Sequence, residues 1–214
     1  MKLSPIARPL LSLLLAAVSG LAAAQPLPGN TFPTQPSQPS GGMPGMPGMP
    51  GVGGAPSLDE LMAWERQDMG VPVTQGLHDG AFHGPTPNKI PGGQVITTKG
   101  LLPLLQQGVP VLVFDVLGSG QTLPGAMPLA WAAQPGSFDD QVQQQLGQVL
   151  QQAARGRTDL PMVFYCQGPQ CWMSYNAALR AIKLGYRNVL WYRGGTEAWQ
   201  RAGQNLQMAA GGMR

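Results

Sequence analysis

Three near-continuous apolar runs, PVLVFDV (residues 110–116), PMVFY (161–165) and NVLWY (188–192), constrain this chain more than any other feature. They lack the apolar–polar alternation of a half-exposed strand, and parallel sheets bury strands of this kind on both faces. Helical patterns separate them. TKGLLPLLQQG, capped by Thr97 or Thr98, precedes the first run. Ser137 with Asp140 opens a second helix whose apolar face is Phe138, Val142, Leu146, Val149, Leu150 and Ala153. A third runs from Ser174 to Leu184 with Gly185 as its stop, and Thr196 to Ala202 forms a closing helix. QVIT and LPGAMPLAWA add short strands. Strict alternation of strand and helix predicts one α/β domain, residues 94–205, with a mostly parallel central sheet flanked by helices on both faces.

The sequence outside that domain has a different character. The chain holds 30 glycines and 22 prolines, too many for a uniformly packed fold. MKLSPIARPLLSLLLAAVSGLAAAQ places Lys2 and Arg8 ahead of the apolar Leu10–Val18 segment and the small-residue site Ala22-Ala23-Ala24. This pattern predicts a signal peptide over 1–24, cleaved after Ala24, and a periplasmic, soluble product with no membrane span. Residues 25–56 are low in complexity and uncharged, and predict a disordered Pro/Gly/Met-rich linker. Met43, Met46 and Met49 repeat within it; thioether sulfur suits Cu(I), but no His or Cys lies nearby to complete a site, and a plain linker is the preferred reading. Residues 57–93 form an N-terminal extension. Ser57 and Glu60 make a capping box for a short helix that turns Leu61 and Trp64 inward, and a Gly/Pro-rich segment then wraps irregularly over the surface. Residues 206–214 read as a flexible tail.

Charge excludes one class of partner. The formal net charge of +3 falls by two when Lys2 and Arg8 leave with the leader. The remaining basic residues are scattered, so nucleic acid is not an expected partner. His78 and His83 lack a third ligand, and no metal site is expected. No CxxCH is present for covalent haem, and no cofactor is called for.

The chemistry concentrates in VFYCQGPQCWMS, residues 163–174, which holds both cysteines of the chain. Cys166 follows an apolar strand directly, at the carboxyl end where α/β sheets gather their sites, and the chain must then rise into a helix. Backbone N–H groups and the positive end of that helix stabilise a thiolate there. Cys171, five positions on, lies within reach of a disulfide if the loop folds back, and export to an oxidising compartment permits one. The active-site loop is Gln167, Gly168, Pro169 and Gln170, with Trp172 behind the second cysteine. Asp115 at the end of VLVFDV and Arg193 after NVLWY are further pocket candidates, although a loop anchor and a surface arginine are the simpler readings of the two.

Several spaced landmarks carry a resemblance. Asp115, the LPGA of 123–126, PMVFYC, AALRAIKLGY and NVLWYRGGTEAW together resemble a rhodanese-homology domain. The second cysteine followed by Trp172, MSYNAALRA and the approach GVPVTQGLHDGAFHGPTP are similar to the exported proteins named for a CXXCW motif, although here four residues separate the cysteines. The resemblance implies that Cys166 takes up sulfane sulfur as a persulfide and passes it on. It also implies a link to pyrroloquinoline-quinone (PQQ)-dependent alcohol catabolism and its quinoprotein dehydrogenases. The loop departs from the sulfurtransferase pattern: its glycine comes a place early, it has no arginine, and Pro169 contributes no N–H.

Two readings stand at this point. In the first, Cys166 is a nucleophile and Cys171 its resolving partner, acting on a small sulfur-containing substrate or on a thiol/disulfide protein as a thiosulfate sulfurtransferase-like or redox protein. In the second, the two form a permanent disulfide in a catalytically inactive binding module.

Overall fold

The computed structural model describes residues 54–209. The leader, nearly all of the linker with its methionine repeat, and the end of the tail lie outside the described residues.

Residues 58–65 form helix α1 (Leu58–Glu65), opened by the expected box. The Ser57 hydroxyl accepts from the Glu60 amide, and the Glu60 carboxylate accepts from the Ser57 amide at 2.8 Å. Beyond it, residues 66–93 contain no helix or ladder strand and wrap over the domain.

Five strands follow, β1 (Gln94–Val95), β2 (Leu112–Asp115), β4 (Met127–Pro128), β5 (Met162–Tyr165) and β6 (Val189–Tyr192), and they pair wholly in parallel in the order β1-β6-β5-β2-β4. The register sets Phe114 beside Phe164 and Phe164 beside Trp191. Because side chains alternate along a strand, each apolar run feeds two cores. Phe114, Phe164 and Trp191 pack with α3 (Gln141–Ala153) and α4 (Met173–Lys183) on one face. Val113, Val163, Tyr165 and Tyr192 pack on the other with α1, α2 (Thr98–Gln106) and α5 (Gly195–Arg201). The flanked parallel sheet read from the sequence is the sheet observed.

Three local expectations are corrected. Asp140, not Ser137, is the cap of α3: its carboxylate accepts from the Gln143 amide at 2.7 Å, so Phe138 precedes the helix. Neither Thr97 nor Thr98 caps α2 with its own side chain. The Glu65 carboxylate takes the free Thr98 amide instead, at 2.9 and 3.1 Å. Residues assigned to a flexible tail form β7 (Gln207–Met208), which pairs antiparallel with β3 (Gln121–Thr122).

Candidate functional site

The loop between β5 and α4 is closed on itself. Cys166 and Cys171 are joined in a disulfide with α-carbons 6.4 Å apart, within the ordinary range. Each residue is 1% exposed. Every carbonyl from Cys166 to Gln170 has a donor. Cys166 O accepts from the Thr196 amide and Gln167 O from the Glu197 amide, so the first turn of α5 is tied to the loop. Gly168 O accepts from Cys171 N within the turn. Pro169 O accepts from both the amide and the hydroxyl of Thr86, and Gln170 O from Gly84 N. Gly195, at φ +57°, is required here, because a Cβ would lie 2.6 Å from the Gln167 carbonyl.

Three of these donors, on Gly84 and Thr86, come from the wrapped segment, and with Phe82 they define a strap over the loop. His83 forms an antiparallel bridge with Cys171, and Phe82 O accepts from Trp172 N. His78 stacks on Trp172 with ring centroids 4.1 Å apart. Trp172, Tyr175 and Trp191 continue as edge-to-face pairs into the core. The strap is fastened to α4 from below. Asn176 accepts from His78 N and donates to His78 O, both at 2.8 Å, and the Tyr175 hydroxyl donates to Thr74 O. His78 Nε2 lies 3.0 Å from Ala81 O, while His83 is exposed beside the loop. Among the described residues no group of three His, Cys, Asp or Glu side chains is placed to hold a metal, and no helix is long and apolar enough to cross a membrane.

Of the two further pocket candidates, neither lines the cleft beside the loop. Asp115 Oδ1 accepts from the Leu117 and Gly118 amides at 2.8 and 3.1 Å, an anchor for the turn after β2. Arg193 is buried rather than on the surface. Its guanidinium donates to the carbonyls of Glu65, Gln67 and Thr86 and to the Thr86 hydroxyl, so its charge clamps the extension to the domain. The cleft, about 470 Å³, is bounded by residues 167–170, Trp64, His83, Glu197 and Arg201. Its one arginine is already paired, 2.6 Å from Glu197, and lies over the Trp64 ring. The cleft therefore presents amides and an aromatic ring rather than free positive charge.

Sequence reasoning missed three groups. The Ser174 hydroxyl donates to Cys166 Sγ at 3.2 Å, and Trp191 Nε1 donates to Ser174 Oγ at 3.0 Å. Ser174 was legible only as a helix opener, although a hydroxyl heading the helix that follows a reactive cysteine is itself a signal. Glu65 is the third: fully buried, it accepts from both the amide and the hydroxyl of Thr98. Burial pushes its carboxyl above the usual range, against the lowering effect of those bonds. Burial likewise raises the phenols of Tyr165 and Tyr192, which are held by Thr122 and Thr98 and remain neutral.

Residues 103–202 match the family model described as Rhodanese-like domain. Over those residues the chain is similar to a rhodanese-like domain, and its parallel α/β sheet is the rhodanese fold. No curated protein matches the chain. Among solved structures it is similar to a thiosulfate sulfurtransferase from Pseudomonas aeruginosa, with 19% identity, a TM-score of 0.41, and coverage of 55% of this chain but 21% of that one. The BH2092 protein from Bacillus halodurans is 21% identical at a TM-score of 0.41, over 54% of this chain and 77% of that one. A yeast protein tyrosine phosphatase of the Rhodanese family is 22% identical at 0.39, over 52% and 87%. This chain spans about a fifth of the length of the first of these.

Proposed function

We propose that this is an exported, periplasmic protein that carries out thiol–disulfide exchange through Cys166 and Cys171, in the setting of PQQ-dependent alcohol catabolism. The observation that carries the reading is the closed cysteine pair at the carboxyl end of β5, with a hydroxyl directed at one of its sulfurs. A partner thiolate attacks one sulfur, forms a mixed disulfide and frees the other cysteine as a thiolate. A second partner thiol then displaces this protein, leaving the partner oxidised by two electrons and the pair reduced. Export rests on the leader sequence, and the catabolic setting rests on the likeness to the CXXCW proteins; both are part of the proposal.

Sulfur transfer from thiosulfate is the weaker form of the same chemistry. The loop has no arginine, Arg193 is committed elsewhere, and Arg201 in the cleft is neutralised by Glu197. A dianion finds no free charge there, whereas a polypeptide bearing a thiol finds amides and an aromatic wall.

Burial of both sulfurs beneath the strap favours a second reading, a binding module whose disulfide is permanent. Thiol counting separates the two. Exchange predicts no free thiol in the isolated protein, two after mild reduction with glutathione, and stoichiometric oxidation of a dithiol peptide by the oxidised form. After reduction, thiosulfate should add no sulfur mass to Cys166. A disulfide that persists through mild reduction sinks the exchange reading, and a thiosulfate-dependent mass gain lost in Cys166→Ser restores the sulfurtransferase.

A further inference from the structure

The two sulfurs of this disulfide are not equivalent. Cys166 Sγ accepts a hydrogen bond from Ser174 Oγ at 3.2 Å, and that oxygen accepts from Trp191 Nε1 at 3.0 Å. Indole N–H can only donate, so it occupies the serine oxygen and leaves the hydroxyl proton for the sulfur. Ser174 is 1% exposed and Trp191 is fully buried, so bulk water does not compete for either bond. Ser174 also stands in the first turn of α4, at the positive end of the helix. Among the described residues Cys171 Sγ has no donor. One contact acts the other way: the Cys171 carbonyl oxygen lies 3.3 Å from Cys166 Sγ and disfavours negative charge there. Ser174 is the group that offsets it.

In disulfide exchange the sulfur being expelled gathers the negative charge, and the better-stabilised thiolate leaves faster. A hydrogen bond to a charged acceptor is stronger than one to a neutral acceptor, so the Ser174 bond tightens as the S–S bond breaks. We infer that an incoming thiolate attacks Cys171 Sγ and expels Cys166, with Ser174 as a catalytic residue and Trp191 as the residue that positions its hydroxyl. The new bond joins the incoming sulfur to Cys171 Sγ, and the electron pair of the broken S–S bond passes to Cys166 Sγ. Oxidation of the partner is completed when its second thiol attacks its own sulfur in the mixed disulfide and releases Cys171. The covalent partner adduct is therefore carried by Cys171, and Cys166 is the leaving group. This assignment rests on the disulfide being exchangeable, as proposed above.

The test maps the adduct. The oxidised full chain is treated with limiting glutathione in the presence of iodoacetamide, quenched in acid, and digested for mass spectrometry. The expected product carries glutathione on Cys171 and the alkyl group on Cys166, in about tenfold excess over the reverse product, the size of effect one hydrogen bond to a charged group supplies. Ser174→Ala should slow opening by about tenfold and even out the two products, while Ser174→Thr keeps the preference. Trp191→Phe, checked by thermal melting to be folded, should lower the preference without removing the hydroxyl. Glutathione found mainly on Cys166, or a preference unchanged in Ser174→Ala, overturns the assignment and leaves exchange intact. A disulfide that glutathione does not open overturns both.

Discussion

At the scale of single residues, the buried charges of this domain do structural work. Arg180 is fully buried and grips Asp140 with two bonds at 2.9 Å, while also donating to the carbonyls of Gln134 and Ser137. The guanidinium holds the Asp140 carboxyl down to about 2, from an ordinary value near 3.8, with the Gln143 and Ser137 amides adding to the effect. A carboxyl with a lower pKa folded than unfolded adds stability that is complete above its unfolded value and is lost as pH falls toward the folded one. Asp140→Asn should therefore cost about 2 kcal/mol at neutral pH, a value held down by the partial exposure of the carboxylate. The gap from the parent should close as pH drops from about 4 toward 2, as read by denaturant unfolding across that range. A gap independent of pH would show that the ion pair adds nothing beyond the cap. Residues of this kind were not legible in the sequence. Asp140 was visible as a box partner of Ser137, but its arginine lies 40 positions away, and Arg193 reaches back 107 positions to Thr86. Local pattern carries no record of such distances.

At the scale of elements, the sequence was readable wherever an element is set by its own periodicity. The runs 110–116, 161–165 and 188–192 read as buried strands because they are buried on both faces. The helices after them read correctly because their apolar stripes face the sheet. Apart from the start of α3, read three residues early at Ser137, what failed is set from outside the element: the Glu65 cap on α2, and β7, which exists through its pairing with β3. The strap is the same kind of feature. Its residues have no periodicity, and its course is fixed by α4 side chains and by the cysteine loop. Asn176 holds it with two bonds to His78 and ties α4 to Ala133 O with a third. Asn176→Ala should cost about 2–4 kcal/mol. It should also raise hydrogen exchange at the His78 amide and speed disulfide reduction by dithiothreitol several-fold. Faster exchange with an unchanged reduction rate would show that reductants reach the sulfurs by a route that does not need the strap to lift.

At the scale of the whole molecule, a rhodanese-like sheet presents its cysteine loop at the usual place for a site, and an extension preceding the domain folds back to cover it. The cysteine pair and its address were plain in the sequence. The cover, the clamp made by Arg193, and the Trp191–Ser174 relay were not, because each depends on segments that meet only in the folded chain. Together they make a disulfide that is shielded yet has one sulfur prepared to leave. The most direct test of that claim is its equilibrium with glutathione buffers of set ratio, read by the mass shift of alkylated thiols. Structural disulfides of exported proteins lie below about −300 mV, and exchanging pairs lie above it. The account predicts a midpoint above about −300 mV that moves to more negative values in Ser174→Ala, where the released Cys166 thiolate loses its donor. A midpoint below about −300 mV, unmoved by Ser174→Ala, would contradict it and leave a permanent clip in a binding domain.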